Sequence, residues 1–465
     1  MIADLKPYAS YKESGLPWLG PVPGHWEPTK LKHAFSRIIG GSTPASGIAK
    51  YWNGDVTWVT PADVSRSERL RRSIRQISRA GMVSCSTQLV PKDSIILTTR
   101  APVGNDSIAD VELCTNQGCK ALIPDSHVIV PMFGFWLLAV MKAEIQSLST
   151  GTTFSEVSTT RLGSTVGILP PLAEQAAIVR FLDWANARLE RAIRAKRKVI
   201  ALLGEQKQAI IHRAVTRGLD PSVPVKPSGI PWLGDIPQHW VVERTKNVFR
   251  LRTQKSGLSH GKELLSIYTH IGVRPRKDLK QKGNKASTTD NYWIVRKGDL
   301  IVNKLLAWMG AVGSSDYEGV TSPAYDILMP IRPLCSDYYH HLFRTKLYLK
   351  LFRQRSRGIM DMRLRLYFDE LGQIPVPFPP VEEQAAIIEF YVEETAALTA
   401  AISRLEREIE LLREYRTRLV ADVVTGKLDV REAIACLPDE HLLDSLDGES
   451  EIADDIVSED EDAVA

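Results

Sequence analysis

Cysteine is scarce. Cys85, Cys114, Cys119, Cys335 and Cys436 are the full set in 465 residues, an odd number with no CxxC pair. This argues against a disulfide framework or a structural zinc site and suits a reducing compartment. Long apolar runs are also missing. None reaches the roughly 18 residues of a membrane-spanning helix; the longest candidate, residues 132–141, suits a buried element. The opening segment MIADLKPYAS lacks the basic-then-apolar pattern of a signal peptide. The expectation is a soluble, cytoplasmic protein. Catalytic signatures are absent too: no Walker A loop, no GxGxxG and no HExxH. There is no Asn-Pro-Pro-Tyr or Asp-Pro-Pro-Tyr tetrapeptide and no carboxylate cluster of the nuclease-metal type. Together these absences favour a binding protein without catalysis, metal or cofactor of its own. A catalytic cluster assembled from residues distant in sequence stays open as the opposing reading.

Charge is unevenly placed. Between Asp439 and Ala465 there are twelve Asp or Glu and no Lys or Arg. Without that tail, 59 basic residues face 43 acidic ones, and the body carries +16. A body this basic suits a polyanionic partner, above all nucleic acid, although scattered surface Lys and Arg would give the same count. The tail has little to bury and repels itself, which predicts disorder.

The chain repeats itself. Residues 14–26 read SGLPWLGPVPGHW and residues 228–240 read SGIPWLGDIPQHW, nine of thirteen identical at an offset of 214. Residues 170–183 (PPLAEQAAIVRFLD) return as 379–392 (PPVEEQAAIIEFYV), and 214–220 (AVTRGLD) as 423–429 (VVTGKLD), both at 209. The frame is duplicated, whereas the stretches it encloses, 27–165 and 241–375, match poorly. Drift alone would blur frame and inserts alike. One scaffold presenting two different readers explains the contrast. His25 and His239 recur in the frame, where a structural hydrogen bond is the expected role.

Each PP-EQAAI segment opens a stretch rich in Ala, Leu, Glu, Lys and Arg, with proline ahead of it as suits a helix start. The first, 174–215, contains Gly204 as its one helix breaker. Steps of four and three select Leu182, Asn186, Leu189, Ile193, Lys196, Ile200, Leu203, Lys207 and Ile210. The second copy gives Tyr391, Thr395, Leu398, Ile402, Leu405, Ile409, Leu412, Arg416 and Leu419. Both follow the 3.5-residue seam of a coiled coil, with polar Asn186/Thr395 and Lys207/Arg416 placed to set register. Two similar helices with a returning domain between them predict antiparallel pairing and a pseudo-two-fold relation.

The inserts mix short β-branched or aromatic runs (56–60, 94–98, 264–268, 299–302) with Gly/Pro turns and helical stretches at 132–147 and 338–355. The predicted class is α+β (α/β-like). Residues 1–165 and 221–375 are read as variable domains, 166–220 and 376–430 as helical regions, and 431–465 as the acidic tail. In the first insert, the turn from Gly40 to Pro44, with Thr43, suits a phosphate contact. The basic run Arg66, Arg69, Arg71, Arg72 and Arg75 suits a DNA backbone or a solvated helix face. Thr99 and Arg100 leave a strand; Arg100 is placed to fork onto guanine, and Asn116 and Gln117 to pair with adenine. Lys120 follows. The similar place in the second insert holds Asn303, Lys304 and Trp308, with Ser322–Pro323–Ala324–Tyr325 standing for Thr115–Asn116–Gln117–Gly118. Arg363 and Arg365 complete the candidate DNA-contacting set. A local turn role competes with base contact at each of them.

Several segments together, SG-PWLG-P-HW, GDVTWVTPADV, LTTRAPVG, CTNQG, NKLLAWMGAVG, SPAYD, RLYFDELGQIPVPFPPVEEQ and AVTRGLDP, resemble the specificity subunit of type I restriction–modification enzymes. The resemblance covers nearly the whole chain except the tail. It implies that each insert is a target recognition domain reading one half of a bipartite, asymmetric DNA site. It implies that the paired helices set the spacing and dock methyltransferase subunits, typically two, and that restriction (motor and nuclease) subunits join the complex. S-adenosylmethionine, ATP and magnesium would then be used by those partners. An orphan or type IIG-like specificity protein serving a different methyltransferase is the alternative.

Overall fold

The computed structural model describes residues 5–149, 156–258, 261–269, 271–278, 289–358 and 364–437. The acidic tail and Arg363 lie outside the described residues. The chain is α+β and divides into two compact units. Unit 1 runs to Ala195 and resumes at Glu408; unit 2 is Lys196–Arg407. Both cuts fall inside long helices, so each unit owns one half of each.

In unit 1 the insert hangs from a strand pair. Glu27–Lys30 runs antiparallel to Val166–Leu169, so the insert leaves and rejoins the frame at one place. Its five-stranded sheet contains β1 (Phe35–Gly40), β2 (Arg69–Leu70), β3 (Ile95–Thr98), β4 (Asp106–Ala109) and β5 (Cys119–Pro124), in the order β1-β5-β3-β4-β2. Strand β3 is apolar almost throughout because both faces are covered. Ile95, Leu97 and Leu122 pack with Phe133, Leu137 and Leu138 of a helix. Ile96, Cys119 and Ala121 pack on the other side with Val59, Leu70 and Val90.

Unit 2 repeats this plan. Val241–Arg244 pairs antiparallel with Pro375–Phe378. Its sheet has β6 (Phe249–Leu251), β7 (Leu300–Asn303), β8 (Val312–Ser314) and β9 (Tyr325–Pro330), in the order β6-β9-β7-β8. Leu300, Val302 and Leu328 face Tyr338, Tyr339 and Phe343, while Ile301 and Ile327 face Leu265, Ile267 and Val295.

The single helices expected at 132–147 and 338–355 are each two. Pro131–Val140 and Lys142–Ser147 break at Met141, which leaves helical geometry at φ −77°, ψ 2°. Ser336–Phe343 and Lys346–Arg355 break at Thr345, whose buried hydroxyl accepts from the Tyr348 N–H and caps the second piece. A β-branched residue with a capping oxygen favours an N-cap over a helix interior.

The long helices are Leu172–Arg217 and Val381–Val424, 46 and 44 residues. In unit 1 the start of the first meets the end of the second: Ile178, Phe181, Leu182 and Ala185 pack with Leu419, Val420, Val423 and Val424. In unit 2 the end of the first meets the start of the second, Ile211, Ala214 and Val215 sharing a core with Ile387. Lys207 Nζ donates to Thr399 Oγ1 at 2.8 Å. The pairing is antiparallel within each unit. Of the expected seam, Leu182, Leu189, Ile193, Ile409 and Leu419 are buried, while Ile200, Leu203, Ile210, Leu398, Ile402, Leu405 and Leu412 are half-buried. The apolar cover thins toward the helix middles. Gly204 does not break its helix, and a Cβ there would meet open space.

The repeated frame has a physical basis. Gly15 and Gly20, and likewise Gly229 and Gly234, adopt φ of +71° to +75°, which favours glycine. Trp26 and Trp240 are fully buried. The glutamine of each PP-EQ segment is a clamp: Gln175 accepts from the Val130 N–H and donates to Val128 and Pro170 carbonyls. Gln384 accepts from the Cys335 N–H and donates to the Pro379 carbonyl. In unit 2 the segment ahead of PWLG runs straight off the first long helix. In unit 1 the N-terminal segment meets the end of the second instead, through a Lys6–Asp429 bridge and a Tyr11 hydroxyl donating to the Gly426 carbonyl.

Candidate nucleic-acid interface

The end of β3 and the start of β5 sit side by side, since Thr98 pairs with Cys119. Beyond them, the Thr99 N–H donates to the Gly118 carbonyl at 2.8 Å, and the Thr99 carbonyl accepts from the Val157 N–H at 3.0 Å. This bonding gathers Thr99, Arg100, Asn116, Gln117 and Lys120 at one end of the sheet. Thr43 joins them: its hydroxyl donates to Gln117 Oε1 at 2.5 Å. The turn carrying it lies so close that a Cβ on Gly41 would stand 1.9 Å from the Thr115 carbonyl oxygen, which explains the glycine. Asn116 turns inward, its Oδ1 accepting from the Gly118 N–H, whereas Gln117 is exposed.

Charge concentrates here. Arg100 donates through Nε and Nη2 to Glu156 Oε2 at 3.0 and 2.9 Å. Lys120 is only 6% exposed, and its Nζ stands 3.9 Å from Glu156 Oε1. Burial, reinforced by Arg100, lowers the Lys120 pKa against the opposing pull of Glu156. The Thr99 hydroxyl is buried with no hydrogen-bond partner among the described residues.

Arg71 and Arg72 do not belong to this cluster. β2 runs parallel to β4, Leu70 beside Ala109, so the chain leaves β2 where β4 ends. Thr98 lies where β4 begins, since Leu97 pairs with Asp106. The two arginines are therefore at the opposite end of the sheet. Nor is their run a helix face: it includes the short strand Arg69–Leu70 and ends just before another, Gln76–Ile77. Arg69 and Arg71 both bind Asp110, whose carboxyl is held below its ordinary pKa chiefly by the Arg71 hydrogen bond. Arg75 stacks on Trp52, 3.8 Å from the ring centre.

Unit 2 builds the same sheet end. Asn303 pairs with Tyr325, the Lys304 N–H donates to the Ala324 carbonyl, and the Lys304 carbonyl accepts from the Leu366 N–H. The register therefore equates Lys304 with Thr99, Ala324 with Gly118 and Leu366 with Val157. Thr321–Ser322–Pro323–Ala324 takes the place of Thr115–Asn116–Gln117–Gly118, one residue earlier than the sequence expectation, because side-chain likeness does not carry strand register. Asn303 is buried and accepts from the Leu305 N–H. Lys304 Nζ donates to the Pro323 carbonyl at 2.9 Å and to Asp326 Oδ1 at 3.2 Å. Trp308 is half-buried, its indole N–H donating to the Leu305 carbonyl and Arg353 lying over its ring. Arg365 is exposed and bridges backbone to backbone with Arg357.

Glu156 and Asp326 were not singled out from the sequence. Their partners are 56 residues and 22 residues away, beyond the reach of a local pattern. Among the described residues, no group of three or more His, Cys, Asp or Glu is placed to hold a metal ion, and no helix is long and apolar enough to cross a membrane.

Comparison with known proteins follows this geometry. The family described as type I restriction modification DNA specificity domain matches residues 23–197. The type I restriction enzyme MjaIX specificity subunit of Methanocaldococcus jannaschii is 33% identical over 175 residues, 37% of this chain and 40% of that protein. The EcoR124I/EcoR124II specificity subunit of Escherichia coli is 27% identical over 185 residues, 37% of this chain and 42% of that protein. The chain thus spans under half the length of these relatives. A solved chain from work on complex assembly and conformational transition of the type I R-M system shares the fold, at TM-score 0.56 and 17% identity, covering 88% of this chain and 99% of that one. Residues 23–197 are thus similar to the type I restriction modification DNA specificity domain.

Proposed function

We propose that this chain is the DNA sequence-recognition subunit of a type I restriction–modification complex, each unit reading one half of a bipartite, asymmetric site. The observation that carries this is one frame built twice around sheet ends whose side chains differ. The frame supplies the same backbone bonds in both units, while the positions held by Thr99, Gly118 and Lys120 in unit 1 are held by Lys304, Ala324 and Asp326 in unit 2. A basic body supports double-stranded DNA as the partner. In this reading the long helices set the spacing of the half-sites and dock methyltransferase subunits, two of them, through which restriction subunits join. The chain itself performs no catalysis and holds no cofactor. S-adenosylmethionine, ATP and magnesium act on the partners, in the cytoplasm.

Co-expression with a methyltransferase subunit encoded alongside, followed by methylation sequencing of the host DNA, tests this. A two-part methyladenine motif that vanishes when this gene is deleted is the expected result. Turnover of DNA by the purified chain alone, with magnesium, S-adenosylmethionine and ATP, counts against it.

A further inference from the structure

The two sheet ends differ by an inversion of charge at one depth. Strand pairing places Lys120 of β5, next to Cys119, where Asp326 of β9 follows Tyr325. The opposing segment inverts too, with Glu156 ahead of Val157 and Arg365 ahead of Leu366. The inverted groups are unequally satisfied. Lys304 Nζ has two acceptors and occupies one oxygen of Asp326, leaving Asp326 Oδ2 without a hydrogen bond among the described residues. Lys120 Nζ has no hydrogen bond among the described residues, only a carboxylate 3.9 Å away, and it is 6% exposed. The buried Thr99 hydroxyl at the same sheet end is unpartnered among the described residues as well. Lys120 thus has a largely covered side chain whose ammonium keeps its donors uncommitted, which points to a ligand that supplies acceptors.

On the DNA-reading proposal above, we propose that Lys120 and Asp326 are base-reading residues of opposite polarity. Lys120 donates to the O6/N7 edge of a guanine in one half-site. Asp326 accepts from the exocyclic amino group of a cytosine or adenine in the other. The chemistry follows from the major groove, where guanine presents two acceptors and cytosine N4 and adenine N6 present donors. It also gives the asymmetry of the bipartite site a structural origin: equivalent positions cannot accept the same base.

The test is selection of binding sites from a random double-stranded DNA library by the full-length chain and by Lys120→Gln, Lys120→Arg and Asp326→Ala. The expected result is a two-part motif for the unsubstituted chain. Lys120→Gln should lose discrimination at one guanine of one half, about tenfold for one good base contact, with the other half unchanged. Asp326→Ala should do the same at one amino-bearing base of the other half. Lys120→Arg keeps charge and donors and should keep the guanine; Lys120→Met, which removes the donors but keeps the length, carries the test if Lys120→Gln does not fold. Uniform weakening over all sequences, with the salt slope reduced by about 1, means a phosphate contact and overturns the assignment. An unchanged motif in folded Lys120→Gln or Asp326→Ala overturns it as well. If the unsubstituted chain selects no motif, the DNA-reading proposal itself fails and takes this assignment with it.

Discussion

Asp106 begins β4 with Oδ2 enclosed and unpartnered among the described residues, and burial raises its pKa from 3.8 to about 7. Its folded pKa lies above the unfolded value, so its contribution is complete below pH 3.8 and is lost as pH rises to about 7. Asparagine resembles the protonated acid. Asp106→Asn is therefore expected to stabilise the protein increasingly from pH 5 to pH 8, by on the order of 2 kcal/mol at the upper end, as urea unfolding at each pH would show. A gain independent of pH would mean that burial does not raise the Asp106 pKa and that the carboxyl is ionised in both states over this range. No sequence pattern marks this residue. Its environment is set by Lys142, Glu68 and its own backbone, and only the assembled sheet brings them together. The same holds for Lys120. The sequence marks it as a cation near candidate loops but leaves its burial and its tie to Glu156 unstated.

At the scale of elements, the helix starts show how a duplicated motif diverges in its duties. Glu174 accepts from the Tyr8 hydroxyl at 2.5 Å and from the Trp26 indole N–H at 3.0 Å, and it contacts His25 Nε2 at 2.7 Å. Glu383 contacts His239 Nε2 at 2.7 Å, while the Trp240 indole N–H has no partner among the described residues. The repeated histidines are structural ties to the helix start, as their place in the frame suggested. Removing a partner from buried donors costs more than removing one from a half-exposed ring. Glu174→Ala should therefore lose about 3 kcal/mol of stability and Glu383→Ala about 1 kcal/mol. Denaturant unfolding of the two variants checks the order, and an equal or reversed pair would contradict the network described for Glu174. The long helices were legible because the 3.5-residue period and the Pro-Pro start are local. The split at Thr345 was not, because neither Gly nor Pro interrupts the stretch and the cap depends on where the chain must turn.

For the whole molecule, the units share a frame and differ in what it carries. If the helices set half-site spacing, deleting one heptad from each, in facing positions, shortens the pair by about 10.5 Å at 1.5 Å per residue. The preferred gap between half-sites should fall by about three base pairs at 3.4 Å per pair. Comparing methylated motifs or selected sites of the parent and shortened chains reads this directly, and an unchanged gap removes the ruler role. The half-burial of Ile200, Leu203, Leu398, Ile402 and Leu405 places the deletion where it disturbs least of the core.

The duplication, the two long helices and the α+β class were determined by the sequence alone. Each rests on a signal carried by neighbouring residues or by a repeat at fixed offset. The inward Gln175 and Gln384 clamps, the exile of Arg71 and Arg72 to the far end of the sheet, the one-residue register of Thr321–Ala324 and the inversion of Lys120 against Asp326 were decided only by the tertiary structure. Strand register and long-range ion pairs join residues that no local period connects, so they exist only once the sheets have formed.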